Sequence, residues 1–160
     1  MSEHVSAGSP RDTLRYPTVA TSGGGRVVAV SPGAAASAGL RVGDVVRAVD
    51  GAPLRDVIDW MWLTDEPEFD LEIVRETTPH VLRVERTSGE PLGVEFASPL
   101  FDPIRECDNA CVFCFVSQLP PGLRPSLSVR DDDFRLSFLS GNFITLTNLT
   151  GDDVDRMIDQ

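Results

Sequence analysis

Gly25-Arg26-Val27-Val28-Ala29-Val30 and Val45-Val46-Arg47-Ala48-Val49 frame the stretch that decides the fold. Both runs are rich in β-branched residues and read as buried strands, over residues 26–30 and 45–49. Between them Pro32-Gly33 breaks the first strand, and residues 34–38 fit a short helix closed by Gly39 at its C-cap. Asp50-Gly51 after the second strand is a hairpin-type turn. Working outward, Val57, Ile58, Met61 and Trp62 fall at helical spacing, so residues 56–63 read as an amphipathic helix. Residues 69–75 and 81–86 are two further strands, joined by the turn Thr77-Thr78-Pro79. Upstream, Gly23-Gly24-Gly25 marks a loop that needs unusual backbone angles or close backbone approach. The sum is a small α+β module over residues 23–86.

Composition narrows the function classes. The chain has 160 residues, 41% of them hydrophobic and 24% charged, which suits a globular protein. Its formal net charge is −11, and all 14 basic residues are arginine. That balance argues against nucleic-acid binding, which needs clustered cations facing phosphates, and against an anionic membrane surface. No apolar run approaches the ~20 residues of a membrane span, and the opening residues lack the pattern of a secretory signal. A cytoplasmic location is the expectation. Three cysteines packed within residues 107–114 are not a disulfide framework. In a reducing compartment such a cluster binds metal or performs redox chemistry.

Four segments follow. Residues 1–22 are a polar arm expected to be disordered. Residues 23–86 are the α+β module, and residues 87–98 a linker. Residues 99–160 hold the cysteines, a break at Leu119-Pro120-Pro121-Gly122, and a strand expected over residues 143–147. Gly151-Asp152-Asp153 opens a helix with acidic residues suited to its dipole, continued by Val154, Met157 and Ile158. Trp60 and Trp62 stand two apart on a helix, so they do not share a face and at least one belongs in the core. His80 within a strand reads as structural, and His4 lies in the arm.

Ala38-Gly39-Leu40, Gly43-Asp44-Val45 and Val49-Asp50-Gly51 resemble the core of a bacterial PDZ domain. The resemblance implies a groove that takes a peptide by strand addition. Its carboxylate-binding loop would map to Gly25, Arg26, Val27 and Val28. The other reading of this module is a docking face for the rest of the protein.

Cys107-Asp108-Asn109-Ala110-Cys111-Val112-Phe113-Cys114 has the spacing C-x3-C-x2-C. Thiolates are soft ligands, and three in one loop can converge on a metal centre. Structural zinc wants four protein ligands, and ferredoxin runs supply a fourth cysteine. Three thiolates without a fourth leave an open corner. A zinc or redox-sensing site on the same thiols stays open as an alternative, as does a vestigial loop beside a peptide-binding module. The spacing, with Phe113 before the third cysteine, resembles the radical SAM family. So do Phe115-Val116-Ser117-Gln118-Leu119-Pro120, Arg130-Asp131-Asp132-Asp133-Phe134-Arg135-Leu136-Ser137-Phe138 and the stretch from Gly141 to Leu149, which resemble a subfamily with a PDZ-like module ahead of the radical SAM core.

That resemblance implies a 4Fe–4S cluster on Cys107, Cys111 and Cys114, with S-adenosylmethionine on the open iron. Reductive cleavage would give a 5′-deoxyadenosyl radical that acts on an unknown substrate, with a flavodoxin or ferredoxin as electron donor. Phe113 would lie by the adenine, and Thr145, Thr147 and Asn148 would meet the methionine end. Asp131-Asp132-Asp133 reads as a solvated acidic turn that caps the next element, in preference to a cation site. The implied fold is a PDZ-like module followed by the first β/α elements of a partial TIM-type barrel. Each β/α unit takes ~30 residues, so a chain ending at Gln160 is expected to stop inside the barrel and to be inactive alone.

Overall fold

The structure, a computed structural model, describes residues 23–87, 89–124 and 127–160. The N-terminal arm and His4 lie outside them. The first region is a six-stranded antiparallel sheet with two helices. Strands β1 (Gly25–Val30), β2 (Val45–Val49), β3 (Ala52–Pro53), β4 (Glu68–Arg75), β5 (Thr78–Glu85) and β6 (Val94–Phe96) run in the order β5-β4-β2-β1-β6, with β3 on β2. Helix α1 (Ala34–Ser37) follows β1, and α2 (Val57–Leu63) follows β3.

Local chemistry sets most of these elements. Asp50 (φ 48°) and Gly51 (φ 80°) form the two-residue β2–β3 turn, with both φ values positive as such hairpins require. The Asp50 backbone N–H and side chain then stitch this turn to the Asp70 backbone on β4, at 2.9 and 2.8 Å. Asp56 caps α2 by accepting the N–H groups of Ile58 and Asp59, each at 3.0 Å. Trp60 turns inward at 7% exposure while Trp62 stands outward at 53%, as their spacing required. His80 is exposed on β5, paired with Ile73.

Two boundaries differ from the sequence reading. The β4–β5 turn is Glu76-Thr77 rather than Thr77-Thr78-Pro79, and Pro79 pairs with Val74. β5 is the edge of the sheet, where a residue without an N–H is tolerated. The 87–98 segment, read as a linker, supplies β6, which pairs with β1 through Val27–Phe96 and Val30–Val94. It contributes Leu92 to a core with Val27, Val46, Val49, Leu54, Trp60, Phe69, Leu71, Ile73 and Val84. Phe96 meets Trp60 edge-on at 5.1 Å and Phe101 at 4.9 Å. A Cβ on Gly25 would lie 2.6 Å from both phenyl rings, so that position needs glycine for packing.

β1 is therefore an interior strand. Gly25 and Arg26 pair with β2, Val27 and Val30 pair with β6, and Val27 also exchanges 2.9 Å bonds with Asp44 and Gly43. Gly25, Arg26, Val27 and Val28, where the carboxylate-binding loop was expected, thus lie within β1, and Val28 falls in the irregularity of the β1–β6 pairing. The sheet's outer edge on this side is β6.

Beyond residue 98 the architecture changes. Helices α3 (Phe134–Ser140) and α4 (Gly151–Asp159) are joined by irregular chain, with a 3-10 turn at Val116–Gln118. Asp133 caps α3, and Gly141, left-handed at φ 72°, ends it. Thr150 and Asp153 form a capping box on α4, where the acidic first turn was expected. The strand expected over residues 143–147 does not form. Leu146 adopts φ 60°, and the Thr145 N–H bonds to the Asp132 carboxylate instead of a neighbouring strand. All strand pairs among the described residues are antiparallel.

Buried ion pairs fasten this region to α2. Arg156 of α4 reaches both oxygens of Asp56, at 2.8 and 2.6 Å, and pairs with Asp59 at 2.8 Å. Arg135 of α3 binds Asp133 at 2.7 Å and Asp102 at 2.6 Å, with Asp56 at 3.5 Å. Such pairs repay desolvation only when every charge has partners, and the buried ones, Asp56, Asp59, Asp133, Arg135 and Arg156, each have at least two, while Asp102 is partly exposed. Phe134 packs beneath the guanidinium groups of Arg105 and Arg156, at 5.6 and 6.0 Å from its ring centre.

Candidate functional site

The cysteine loop leaves this junction on a short paired ribbon. Asp132 donates its N–H to the Arg105 carbonyl at 3.1 Å, and Cys107 donates to the Arg130 carbonyl at 2.7 Å. Cys107 thereby sits beside the Asp131-Asp132-Asp133 segment. Further along, Cys114 N–H bonds to the Cys111 carbonyl at 3.1 Å, closing a tight turn that continues into the 3-10 turn. Cys107 and Cys114 are half-buried and Cys111 is exposed.

A third segment closes the site. The side-chain amide of Asn109, inside the cysteine loop, donates to the hydroxyls of Thr145 and Thr147 at 3.2 and 2.6 Å. The Thr145 hydroxyl in turn donates to Asp132 at 2.7 Å. Asn148 donates to the carbonyls of Asp132 and Glu106, at 3.2 and 3.4 Å. Arg130 donates to the Asn109 carbonyl. Together these segments wall a cavity of about 570 Å³, and Cys111 lies outside its lining. Cys107, Cys114, Phe115, Arg130, Asp132 and Thr145 are among its lining.

The electrostatics suit thiolate chemistry. A hydrogen bond from Ser117 chiefly holds the Cys114 thiol below its ordinary range, with backbone N–H groups and the Arg130 charge adding to it. Burial pushes the Asp133 carboxyl up, but its bonds to Arg135 and the Arg105 N–H outweigh this and hold it low. Arg105 holds Asp153 far below the usual carboxylate range, through a two-point contact that ties α4 to the ribbon. In the cavity wall, Nε of Arg130 is buried with no hydrogen-bond partner among the described residues.

The positions singled out in the sequence separate here. Cys107, Cys114 and Thr145 face the cavity, while Thr147 and Asn148 brace its wall from behind. Phe113 is 90% exposed and lies outside the cavity lining, whereas Phe115 and Phe143 are part of it. The acidic run is a correction: Asp132 and Asp133 are buried and bonded on several sides, so the turn is not solvated, although its capping role holds. Asn109 and Arg130 were missed. Their only sequence signal is position, one inside the cysteine loop and the other at the head of the acidic run.

Residues 86–160 match the family model of the radical SAM-like domain, and residues 26–75 that of the PDZ domain. The chain thus carries a PDZ match followed by a radical SAM-like match. The radical SAM-like match takes in all three cysteines, the cavity, α3 and α4, and the PDZ match spans β1 to β4. No curated protein matches the chain. Among solved structures, the PDZ domain of an SdrC-like protein from Listeria innocua aligns at 11% identity with a TM-score of 0.41, covering 49% of this chain and 99% of that one.

Among the described residues no three His, Cys, Asp or Glu side chains are gathered closely enough to hold one metal ion. In a cubane cluster each thiolate binds a different iron, so its cysteines stand around the cluster rather than converge on a point. Three thiols in one loop beside a cavity, with no fourth cysteine in the chain, fit that donor set in kind. Among the described residues no helix is long and apolar enough to cross a membrane.

Proposed function

We propose that the chain is a radical SAM enzyme component whose Cys107, Cys111 and Cys114 hold a 4Fe–4S cluster, with S-adenosylmethionine in the adjoining cavity. The observation that carries this reading is the cysteine loop itself, pinned at Cys107 and Asn109 to the cavity wall inside the radical SAM-like region. The chemistry such a cluster supplies is one-electron reductive cleavage of S-adenosylmethionine to methionine and a 5′-deoxyadenosyl radical. The protein's part is binding, orientation and exclusion of water. Cys107 and Cys114 present sulfur to the cavity, Ser117 stabilises the Cys114 thiolate, and Phe115 and Phe143 offer apolar wall for an adenosyl group. Thr145 offers a polar contact for the methionine end. The reducing partner fits a flavodoxin or ferredoxin, and the intact protein would work in the cytoplasm.

The test is anaerobic reconstitution with iron and sulfide, then electron paramagnetic resonance of the reduced protein. The expected result is a reduced-cluster signal that changes on adding S-adenosylmethionine and disappears in Cys111→Ala. A cluster signal indifferent to S-adenosylmethionine sinks the assignment.

A second reading concerns the PDZ domain. The outer edge of β6 is unpaired among the described residues and fits addition of an extended peptide beside α2. Protection of the β6 amides from hydrogen exchange by a bound peptide is its expected signature.

A further inference from the structure

Arg130, in the cavity wall, touches the cysteine loop twice. Its carbonyl takes the N–H of Cys107 at 2.7 Å, and its guanidinium donates to the Asn109 carbonyl. The same guanidinium keeps its Nε buried with no acceptor among the described residues. A buried donor left unmatched carries the full penalty of desolvation, so such an atom in a cavity wall points to an acceptor that belongs in the cavity. Cys107 and Cys114 line the same cavity as Arg130. The remaining carboxylates nearby are engaged: Asp131 accepts from Asn142, and Asp132 from Thr145.

We infer that Arg130 is a positioning residue that directs its free Nε–H and positive charge at the sulfur of the bound cluster and thereby sets its reduction potential. This rests on the cluster reading above. Hydrogen bonds to cluster sulfurs and nearby charge are among the levers that fix iron–sulfur potentials. An N–H donor and a cation both favour the more negative, reduced state, so the arginine should raise the potential and ease reduction. Its two contacts to residues 107 and 109 fix the donor relative to the thiols, so the effect is built into the wall. Arg124, exposed and outside the cavity lining, has no such placement and serves as the control.

The experiment is a redox titration of the reconstituted full chain, followed by electron paramagnetic resonance, in wild type, Arg130→Gln, Arg130→Lys and Arg124→Gln. Circular dichroism and iron content establish that each variant is folded and loaded. A lower midpoint potential and altered g-values in Arg130→Gln, an intermediate shift in Arg130→Lys, and no shift in Arg124→Gln are expected. Potentials unchanged in both Arg130 variants overturn the inference, as does loss of the cluster from both while they stay folded. Failure of the folded wild type to take up any cluster is a different result, and it removes the cluster reading together with this one.

Discussion

The PDZ domain and the cysteine region are built on opposite principles. Residues 25–85 close around Val27, Val46, Val49, Phe69, Leu71, Ile73 and Val84, a core of apolar side chains from strands of period two. Beyond residue 101 the buried side chains among the described residues are Phe134 and the charged Asp132, Asp133, Arg135, Asp153 and Arg156. Several large apolar residues there are exposed, among them Val112, Phe113, Phe138 and Phe143. Hydrophobic burial tolerates imprecision, whereas buried charge demands that each partner be in place. The lesson is that the cysteine region depends on the PDZ domain's α2, whose Asp56 and Asp59 supply the acceptors for Arg156.

Asp56→Asn is the sharpest way to break that contrast. Asparagine keeps the α2 cap, so the substitution isolates the charge. Removing one partner of a buried pair costs about 3–5 kcal/mol, and the low end is expected because Arg156 keeps Asp59 and Arg135 keeps Asp133. Hydrogen exchange should show α3 and α4 losing protection while β2 and β4 keep theirs. Equal loss in both regions would contradict the contrast.

Acid should separate the regions more gently. The carboxyls of Asp133, Asp153 and Asp59 are all held below their ordinary value in the fold. For Asp133 and Asp59, burial opposes the shift but hydrogen bonds and guanidinium charge outweigh it. For Asp153, the Arg105 contact is the leading cause. A lowered folded pKa means stabilisation that is complete above the unfolded value of about 3.9 and is lost as pH falls below it. Exchange measured downward from pH 5 should therefore open α4 before the β4–β5 hairpin. The PDZ domain shares this sensitivity through Asp44, where bonds to Arg75 and the Arg41 N–H outweigh burial and hold the carboxyl low.

The smallest effect belongs to Arg83→Ala. Its pairs with Glu68 and Asp70, at 2.7 and 3.2 Å, join side chains that are all about half exposed. Exposed pairs contribute little to stability, so a melting midpoint close to that of wild type is expected. A large loss there would mean that surface charge stabilises the PDZ domain too.

The same contrast explains what the sequence disclosed. The PDZ strands carry alternating apolar residues, a turn of the Asp-Gly type and a capping aspartate, all local signals, and they fall within a residue or three of expectation. β6 was missed because three residues carry too little periodicity. The residues 143–147 looked like a strand by composition, yet Asp132 captures Thr145 and Leu146 turns left-handed. The cysteine spacing is a local pattern and was plain. The partners that hold it were not, since Asn109 meets Thr147 and Arg156 meets Asp56 across long stretches of chain with no periodic mark.

The most direct measurement is metal and sulfide content of the anaerobically reconstituted, folded chain, with Cys111→Ala beside it. A cubane on Cys107, Cys111 and Cys114 predicts about four irons and four acid-labile sulfides per chain, lost in the variant. Stoichiometric zinc without sulfide in the wild-type chain would contradict it.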